Sequence, residues 1–239
     1  MRGLFPPKVA FAGGAFQKRS VMLQFPFMGF PVRVHWTFWL LSFFIGGGFY
    51  ARSPEAYGNV LIAMAIIFVS ILVHELGHAL AGRRFGARPE IELMAFGGLC
   101  SLPGAAFNRG QSILVSFAGP AAGFLLALVF VFLAFALDTG DPVVRHAVWI
   151  GLFVNIVWNV LNLLPILPLD GGQIFRDLAG PKRFELVRWM GAATAGLLAV
   201  FALANQFFIG AAIAGALAYF NFQGSTRGGG GWTKPGSNP

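Results

Sequence analysis

The sequence predicts an all-α integral-membrane protein: a bundle of about six transmembrane helices, a short cytoplasmic-side β-hairpin and one proline-broken segment. Of the 239 residues, 56% are hydrophobic and only 11% are charged, and the mean hydropathy is +0.71. A soluble domain typically carries about 25% charged residues. Several apolar runs also approach the roughly 20 residues that cross a bilayer as helix. Most of the surface is therefore expected to face lipid.

Six apolar runs are candidate spans, and the last two are separated only by Asn205 and Gln206, which predicts a tight helical hairpin. The runs are too closely spaced for a separate soluble domain. We therefore expect one membrane domain over 32–222, between a basic tail at 1–31 and a flexible Gly/Pro/Ser-rich tail at 223–239. The candidate spans are residues 34–50, 57–82, 111–137, 147–164, 189–204 and 207–222.

The distribution of Lys and Arg predicts the orientation of these spans. With the N-terminus inside, fifteen of these residues lie in inner segments and only Arg52 and Arg145 lie in outer ones. Cytoplasmic loops of membrane proteins carry such an excess. We therefore expect a multi-pass protein of the cell inner membrane with both termini cytoplasmic. The net charge of +8 is then spread around the cytoplasmic rim, which argues against nucleic acid as a partner.

Three ionisable residues, His74, Glu75 and His78, interrupt the end of the second apolar run. Such residues inside a membrane span are costly and indicate function. The two histidines are four residues apart, so on a helix they share one face and can reach one metal ion. Glu75 is then placed to act as general base, as in zinc hydrolases. The alternative, two histidines satisfied by packing, requires three ionisable groups to be buried together for no purpose.

Catalytic zinc usually takes three protein ligands, and Asp170 is the candidate for the third. Pro165 and Pro168 must end the fourth span, because neither has a backbone N–H. Gly171 and Gly172 then permit a sharp turn. Irregular backbone at membrane depth is tolerated only where it is buried in protein or lines a wet cavity. Asp170 is alternatively an N-cap for the segment that follows.

Both motifs lie near the inner ends of their spans. His74 precedes Arg83 by nine residues, about 13 Å of helix at about 1.5 Å per residue. Asp170 precedes Arg176 by six residues. The sequence therefore predicts one zinc ion per chain, bound near the cytoplasmic side.

Together, these motifs resemble the site-2 protease family of intramembrane metalloproteases. The resemblance covers about residues 31–222, and the order and spacing of its motifs make it specific. The motifs that carry it are His74-Glu75-Leu76-Gly77-His78, Leu169-Asp170-Gly171-Gly172, Phe96-Gly97-Gly98, Phe117-Ala118-Gly119-Pro120, Asn162-Leu163-Leu164-Pro165 and His35-Trp36.

The resemblance implies a helix bundle whose catalytic core matches the second to fourth spans. It implies zinc held by His74, His78 and Asp170, with Glu75 as general base. It also implies cleavage of membrane-protein substrates, often to release a regulatory factor. Many members carry a PDZ or a paired-CBS domain, and this sequence has room for neither, so we expect a short form.

Two further regions have predicted roles in such an enzyme. Asn162 is either a donor to the developing oxyanion or a partner for backbone groups freed near Pro165. In the loop 85–110, polar and apolar residues alternate from Glu90 and the chain can turn at Gly97 and Gly98, which predicts a hairpin. A sheet edge binds an extended segment as an added strand, so the Phe96, Gly97 and Gly98 loop is predicted to bind substrate. The alternative is a solvated loop.

Two other functions are consistent with parts of the pattern. A catalytically inactive scaffold of the same fold would bind membrane proteins, but it would not need the general base Glu75. A metal transporter would use the same ligands for transit. Transport sites typically lie near the midplane between repeats, whereas these motifs are shallow and no repeat is evident.

Overall fold

The computed structural model describes residues 21–95, 97–137 and 139–223. Seven helices account for most of them, and a 3-10 turn at Pro181–Arg183 links the fifth to the sixth. The helices are α1 (Trp36–Ile45), α2 (Pro54–Arg84), α3 (Arg109–Ala136), α4 (Pro142–Asn162), α5 (Asp170–Ala179), α6 (Phe184–Ala204) and α7 (Phe208–Gln223).

Four of these helices, α2, α3, α4 and α6, are long and apolar enough to cross a membrane, whereas α1 and α7 are shorter apolar helices. Four of the six predicted runs thus coincide with long apolar helices, and the first and the last coincide with shorter ones. The predicted run 34–50 is divided because Val34 and His35 belong to a strand and the turn at Gly46 to Gly48 ends α1. Gly47 has a φ of +85°, a conformation that favours glycine.

The described residues form two compact units. The first contains the described parts of Met1–Ala105 and Ala121–Val157, and the second those of Ala106–Pro120 and Trp158–Pro239.

The first unit contains a four-stranded sheet of β1 (Val21–Phe27), β2 (Phe30–His35), β3 (Glu90–Met94) and β4 (Gly97–Ser101). The strand order is β1-β2-β3-β4, with an antiparallel, a parallel and an antiparallel pair in turn. The pair β3–β4 is the hairpin that the sequence predicts, with Glu90 opposite Ser101.

The hairpin β1–β2 occupies residues that the sequence assigns mostly to the basic tail. Two prolines, Pro26 and Pro31, face each other in it, and proline usually argues against a strand. The strand β2 is nevertheless buried along its whole length. Residues 1–20 and 224–239, where the rest of the two predicted tails falls, lie outside the described residues.

Arg33 fixes the one parallel pairing of this sheet. Its guanidinium is buried and donates to Glu92 at 2.6 Å and to Glu90 at 2.9 Å. The two carboxylates are two residues apart on β3, so they lie on the same face of the strand. A fork of guanidinium N–H groups that binds both carboxylates at once determines the register of β2 against β3.

The helix α2 has clear signals at both ends. Ser53 caps it by accepting a hydrogen bond from the Ala56 N–H at 3.2 Å, and Pro54 occupies the first turn. At the other end Arg83 stacks on the Phe30 ring at 4.5 Å and donates to the Met28 carbonyl at 3.2 Å. The β1–β2 turn is thus attached to the last turn of α2.

Candidate metal centre

In the first unit, His74, Glu75 and His78 lie in one stretch of α2, with exposed fractions of 3%, 4% and 7%. The two imidazole Nε2 atoms are 3.2 Å apart. Two nitrogen ligands at about 2.0–2.1 Å from a tetrahedral zinc are about 3.3 Å apart. The histidine pair therefore has the spacing that zinc requires.

Glu75 is packed against β4 at Gly98. A Cβ atom built on Gly98 would overlap the Cγ and Oε1 atoms of the Glu75 side chain. Only glycine therefore allows this strand to approach the carboxylate so closely. The hairpin thus places the main chain of β4 directly beside the predicted general base.

In the first unit, α4 also forms a hydrogen bond with α2 close to the histidine pair. The Asn155 Nδ2 group donates to Ser70 Oγ at 2.8 Å, and both side chains are buried. Ser70 is one turn before His74, so this interhelical bond acts close to the histidine pair.

In the second unit, Asp170 is the first residue of α5 and is buried. The N-cap position belongs to Leu169, and no side chain caps the helix. The structure therefore does not support the alternative reading of Asp170 as an N-cap. A carboxylate oxygen is one of the ligand types that zinc binds in proteins.

The two glycines after Asp170 are required by close approach of the main chain. A Cβ atom on Gly171 would overlap the Leu163 and Leu164 carbonyl groups, and one on Gly172 would overlap the main chain of Ile166 and Leu167. The first turn of α5 therefore packs directly on the loop that precedes it.

The candidate metal-binding set is His74, His78 and Asp170. The first two residues belong to the first unit and the third to the second. Two imidazoles and a carboxylate are a donor set found in catalytic zinc sites, so the residues present fit this metal.

The remaining predicted site residues are Asn162 and the Phe96 to Gly98 loop. Asn162 is the last residue of α4, and its Nδ2 group donates to the Trp158 carbonyl of its own helix at 2.9 Å. Gly97 pairs with Met94 at the hairpin turn and has a φ of +112°. Phe96 lies outside the described residues.

One contact of the second unit was not predicted. Asn221, on α7, forms hydrogen bonds with both main-chain polar groups of Leu167, three residues before Asp170. The only signal in the sequence is an amide residue within an apolar helix. Such a residue indicates a buried hydrogen bond, but the sequence does not show which group it bonds to.

Comparison with known proteins places these residues in a family. The model of peptidase family M50 matches residues 62–139 and 139–203. The chain belongs to peptidase family M50. The part that matches the M50 model contains both histidines, Glu75 and Asp170, whereas Asn221 lies beyond it.

Similar proteins come from bacteria and archaea. Rip3 of Mycobacterium tuberculosis is 31% identical over 206 residues, covering 79% of this chain and 52% of that protein. Zinc metalloprotease MJ0392 of Methanocaldococcus jannaschii is 27% identical over 162 residues, covering 66% of this chain and 45% of that protein. The chain thus spans about half the length of these curated relatives.

A solved structure has the same fold. The site-2 protease from Methanocaldococcus jannaschii superposes with a TM-score of 0.59, at 24% identity, covering 88% of this chain and 98% of that one.

Proposed function

We propose that this M50 chain is a zinc metalloendopeptidase of the site-2 protease type. It hydrolyses peptide bonds within or next to the transmembrane segments of membrane-protein substrates, and the cut releases a regulatory factor. The observation that carries this proposal is the pair of Nε2 atoms of His74 and His78, 3.2 Å apart, with Glu75 buried in the same stretch of helix.

His74, His78 and Asp170 would hold one zinc ion per chain. When bound, zinc polarises the scissile carbonyl and makes water a nucleophile near neutral pH. The carboxylate of Asp170 would offset part of the charge of the metal.

Glu75 is the proposed general base. Its carboxylate takes the proton of the attacking water and later delivers it to the nitrogen of the leaving amine. Gly98 limits where this carboxylate can move, because the β4 main chain lies against its Cγ and Oε1 atoms. The base therefore keeps one orientation while it exchanges the proton.

The strand β4 is the proposed binding surface for substrate. Among the described strands it pairs only with β3, and an extended segment could add to its other edge. A substrate segment added there is extended, and it runs beside Gly98 and hence beside Glu75. Gly97, the first residue of the strand, and Phe96, which precedes it in the sequence, are proposed to border the same segment.

Asn162 is proposed to donate to the oxyanion that forms on the scissile carbonyl. One Nδ2 hydrogen is already given to the Trp158 carbonyl, which fixes the plane of the amide. An amide nitrogen has two hydrogens, so the second is the one that this role would use.

The protein is multi-pass, with four helices able to cross a membrane. We propose that it lies in the cell inner membrane with both termini cytoplasmic and the site near the cytoplasmic side. The excess of Lys and Arg in the inner segments supports this orientation. Its proposed partners are the lipid bilayer and membrane-protein substrates, with no nucleic acid.

The variant Glu75→Gln tests the proposal. It removes the base but keeps the size of the side chain, so the purified protein should keep one zinc per chain. Cleavage of a transmembrane reporter in detergent should fall about 10²–10⁴-fold, the usual contribution of a general base. In the native host, a membrane-spanning fragment should accumulate with the variant and be absent with the wild-type protein.

Asp170→Ala is the matched control, since it should lose both zinc and cleavage. Full cleavage by Glu75→Gln would refute the mechanism. Stable zinc binding by a wild-type protein that cuts no reporter, with no fragment in the host, would favour an inactive scaffold. Rapid metal exchange together with metal uptake into proteoliposomes would favour a transporter.

A further inference from the structure

The buried side chain of Asn221 holds the main chain of Leu167 in the second unit. Its Oδ1 atom accepts a hydrogen bond from the Leu167 N–H at 3.2 Å. Its Nδ2 group donates to the Leu167 carbonyl at 2.7 Å and to the Leu217 carbonyl of its own helix at 2.8 Å. Asn221 is only 2% exposed, and these three bonds use both hydrogens of the amide nitrogen.

Leu167 needs these bonds because the loop after α4 supplies few of its own. Pro165 and Pro168 have no N–H to donate. The Ile166 N–H bonds to Leu164 and the Leu169 N–H bonds to Ile166. Backbone polar groups at membrane depth must be satisfied within the protein. The Asn221 side chain on α7 therefore supplies the two main-chain hydrogen bonds that Leu167 would form with neighbouring turns if it were part of a helix.

The helix α6 holds Asn221 in place. Arg188 is buried and donates to the Asn221 carbonyl at 2.7 Å and to the Phe222 carbonyl at 2.8 Å. Three residues further along the same helix, a Cβ atom on Gly191 would overlap the Asn221 amide and lie 3.2 Å from the Pro165 carbonyl oxygen. Gly191 thus leaves the space in which the amide meets the loop.

The peptide that Asn221 holds supports the first turn of α5. Leu167 is three residues before Asp170, and the main chain of Gly172 packs on Ile166 and Leu167 so closely that no Cβ atom fits. The Gln173 N–H, in the same turn, bonds to the Leu169 carbonyl at 3.0 Å. Movement of the Leu167 peptide must therefore move the start of α5, and Asp170 with it.

We propose that Asn221 is a positioning residue for Asp170. By clamping Leu167 it fixes the third zinc ligand, although it lies on the last described helix and outside the residues that match the family model. The inference rests on the proposed function, because it takes Asp170 as a metal ligand. Residues that orient metal ligands typically change metal affinity about 10–100-fold when they are removed.

The test compares Asn221→Ala with Asn205→Ala in full-length protein purified in detergent. Asn205, the residue after α6, is exposed and donates to the Phe201 carbonyl of that helix at 2.9 Å, so Asn205→Ala removes one side-chain bond to a helix carbonyl without touching the loop. Zinc release to a chelator should be about 10–100-fold faster for Asn221→Ala and unchanged for Asn205→Ala. Protein loaded with Co²⁺ should show a weaker, shifted visible absorption band only for Asn221→Ala, because the coordination geometry has changed.

Gly191→Ala provides a second variant, since it displaces the Asn221 amide without removing it, and it should show the same faster release. It decides the question if Asn221→Ala does not fold. Wild-type zinc release and a wild-type cobalt spectrum in a folded Asn221→Ala or Gly191→Ala protein would overturn the inference. If Asp170→Ala also leaves metal binding unchanged, the proposed ligand set itself has failed.

Discussion

The two segments that carry the candidate zinc ligands are built in opposite ways. In the first unit, His74 and His78 lie on one uninterrupted helix, whose repeat puts them on the same face, and their Nε2 atoms are 3.2 Å apart. In the second unit, Asp170 follows a loop with two prolines, whose shape depends on close glycine contacts and on Asn221, 54 residues from Leu167. The first arrangement is local in sequence, and the second depends on distant residues.

The largest loss of stability and of zinc is expected from a change at Gly171, where the main chain next to Asp170 is most tightly packed. In Gly171→Ala the new methyl group meets the Leu163 and Leu164 carbonyl groups, which are main chain and cannot rotate away. Overpacking of this kind costs typically about 1–3 kcal/mol. We expect a lower melting temperature in detergent and less than one zinc per chain, measured by metal analysis.

The matched change in the first unit is Gly82→Ala. Its methyl group meets the Cδ2 atom of Leu102, the end of a flexible side chain, so zinc should be retained and the melting temperature should fall less. Equal melting temperatures and zinc contents for Gly171→Ala and Gly82→Ala would show that the two segments tolerate an added methyl group equally well.

An intermediate effect is expected from Gly98→Ala, on catalysis alone. The methyl group would push the Glu75 carboxylate away from its place beside β4, and a displacement of about 1 Å can cost about 100-fold in rate. We expect kcat/KM for the reporter to fall by this order while zinc content stays at the wild-type value. Gly58→Ala, on the same helix as Glu75 with nothing within 4 Å of the new methyl group, is the control. Unchanged kcat/KM for Gly98→Ala would mean that β4 does not constrain the base.

The smallest effect is expected from Ser70→Ala. It removes the acceptor of the 2.8 Å bond from Asn155, and interhelical bonds in membranes contribute on average about 0.6 kcal/mol. The free energy of unfolding should fall by about that amount with zinc retained, because the helix itself positions the histidines. A double-mutant cycle with Asn155→Ala isolates the pair, and loss of zinc in Ser70→Ala would show that α2 needs external support.

The same contrast explains how much the sequence reveals. The pattern His74-Glu75-Leu76-Gly77-His78 predicts its own geometry, because spacing on a helix is fixed. Alternation from Glu90 and the glycines at 97 and 98 likewise predict β3 and β4. Asp170 is recognisable from its motif, but the contact that holds it is not, since nothing local connects Asn221 with Leu167.

The strand pair β1–β2 was missed for a related reason. Pro26 and Pro31 argue against strands when each run is read alone, and they are accommodated here because the two face each other. The partner of β2 on its other side is β3, after two intervening helices. The lengths of the first and last helices were not evident from the sequence, because composition identifies apolar runs, whereas main-chain turns such as that at Gly46 to Gly48 determine where a helix ends.

The parallel pairing of β2 with β3 also has a consequence for the order of assembly. Val32 to Val34 pair with Ile91 to Leu93, and α1 and α2 lie between these two segments in the chain. The two strands therefore cannot pair until both helices have been synthesised. Pairings between residues so far apart in sequence form late, because the intervening chain must first be ordered. The four-stranded sheet that carries β4 therefore becomes complete only after the helices α1 and α2 have been made.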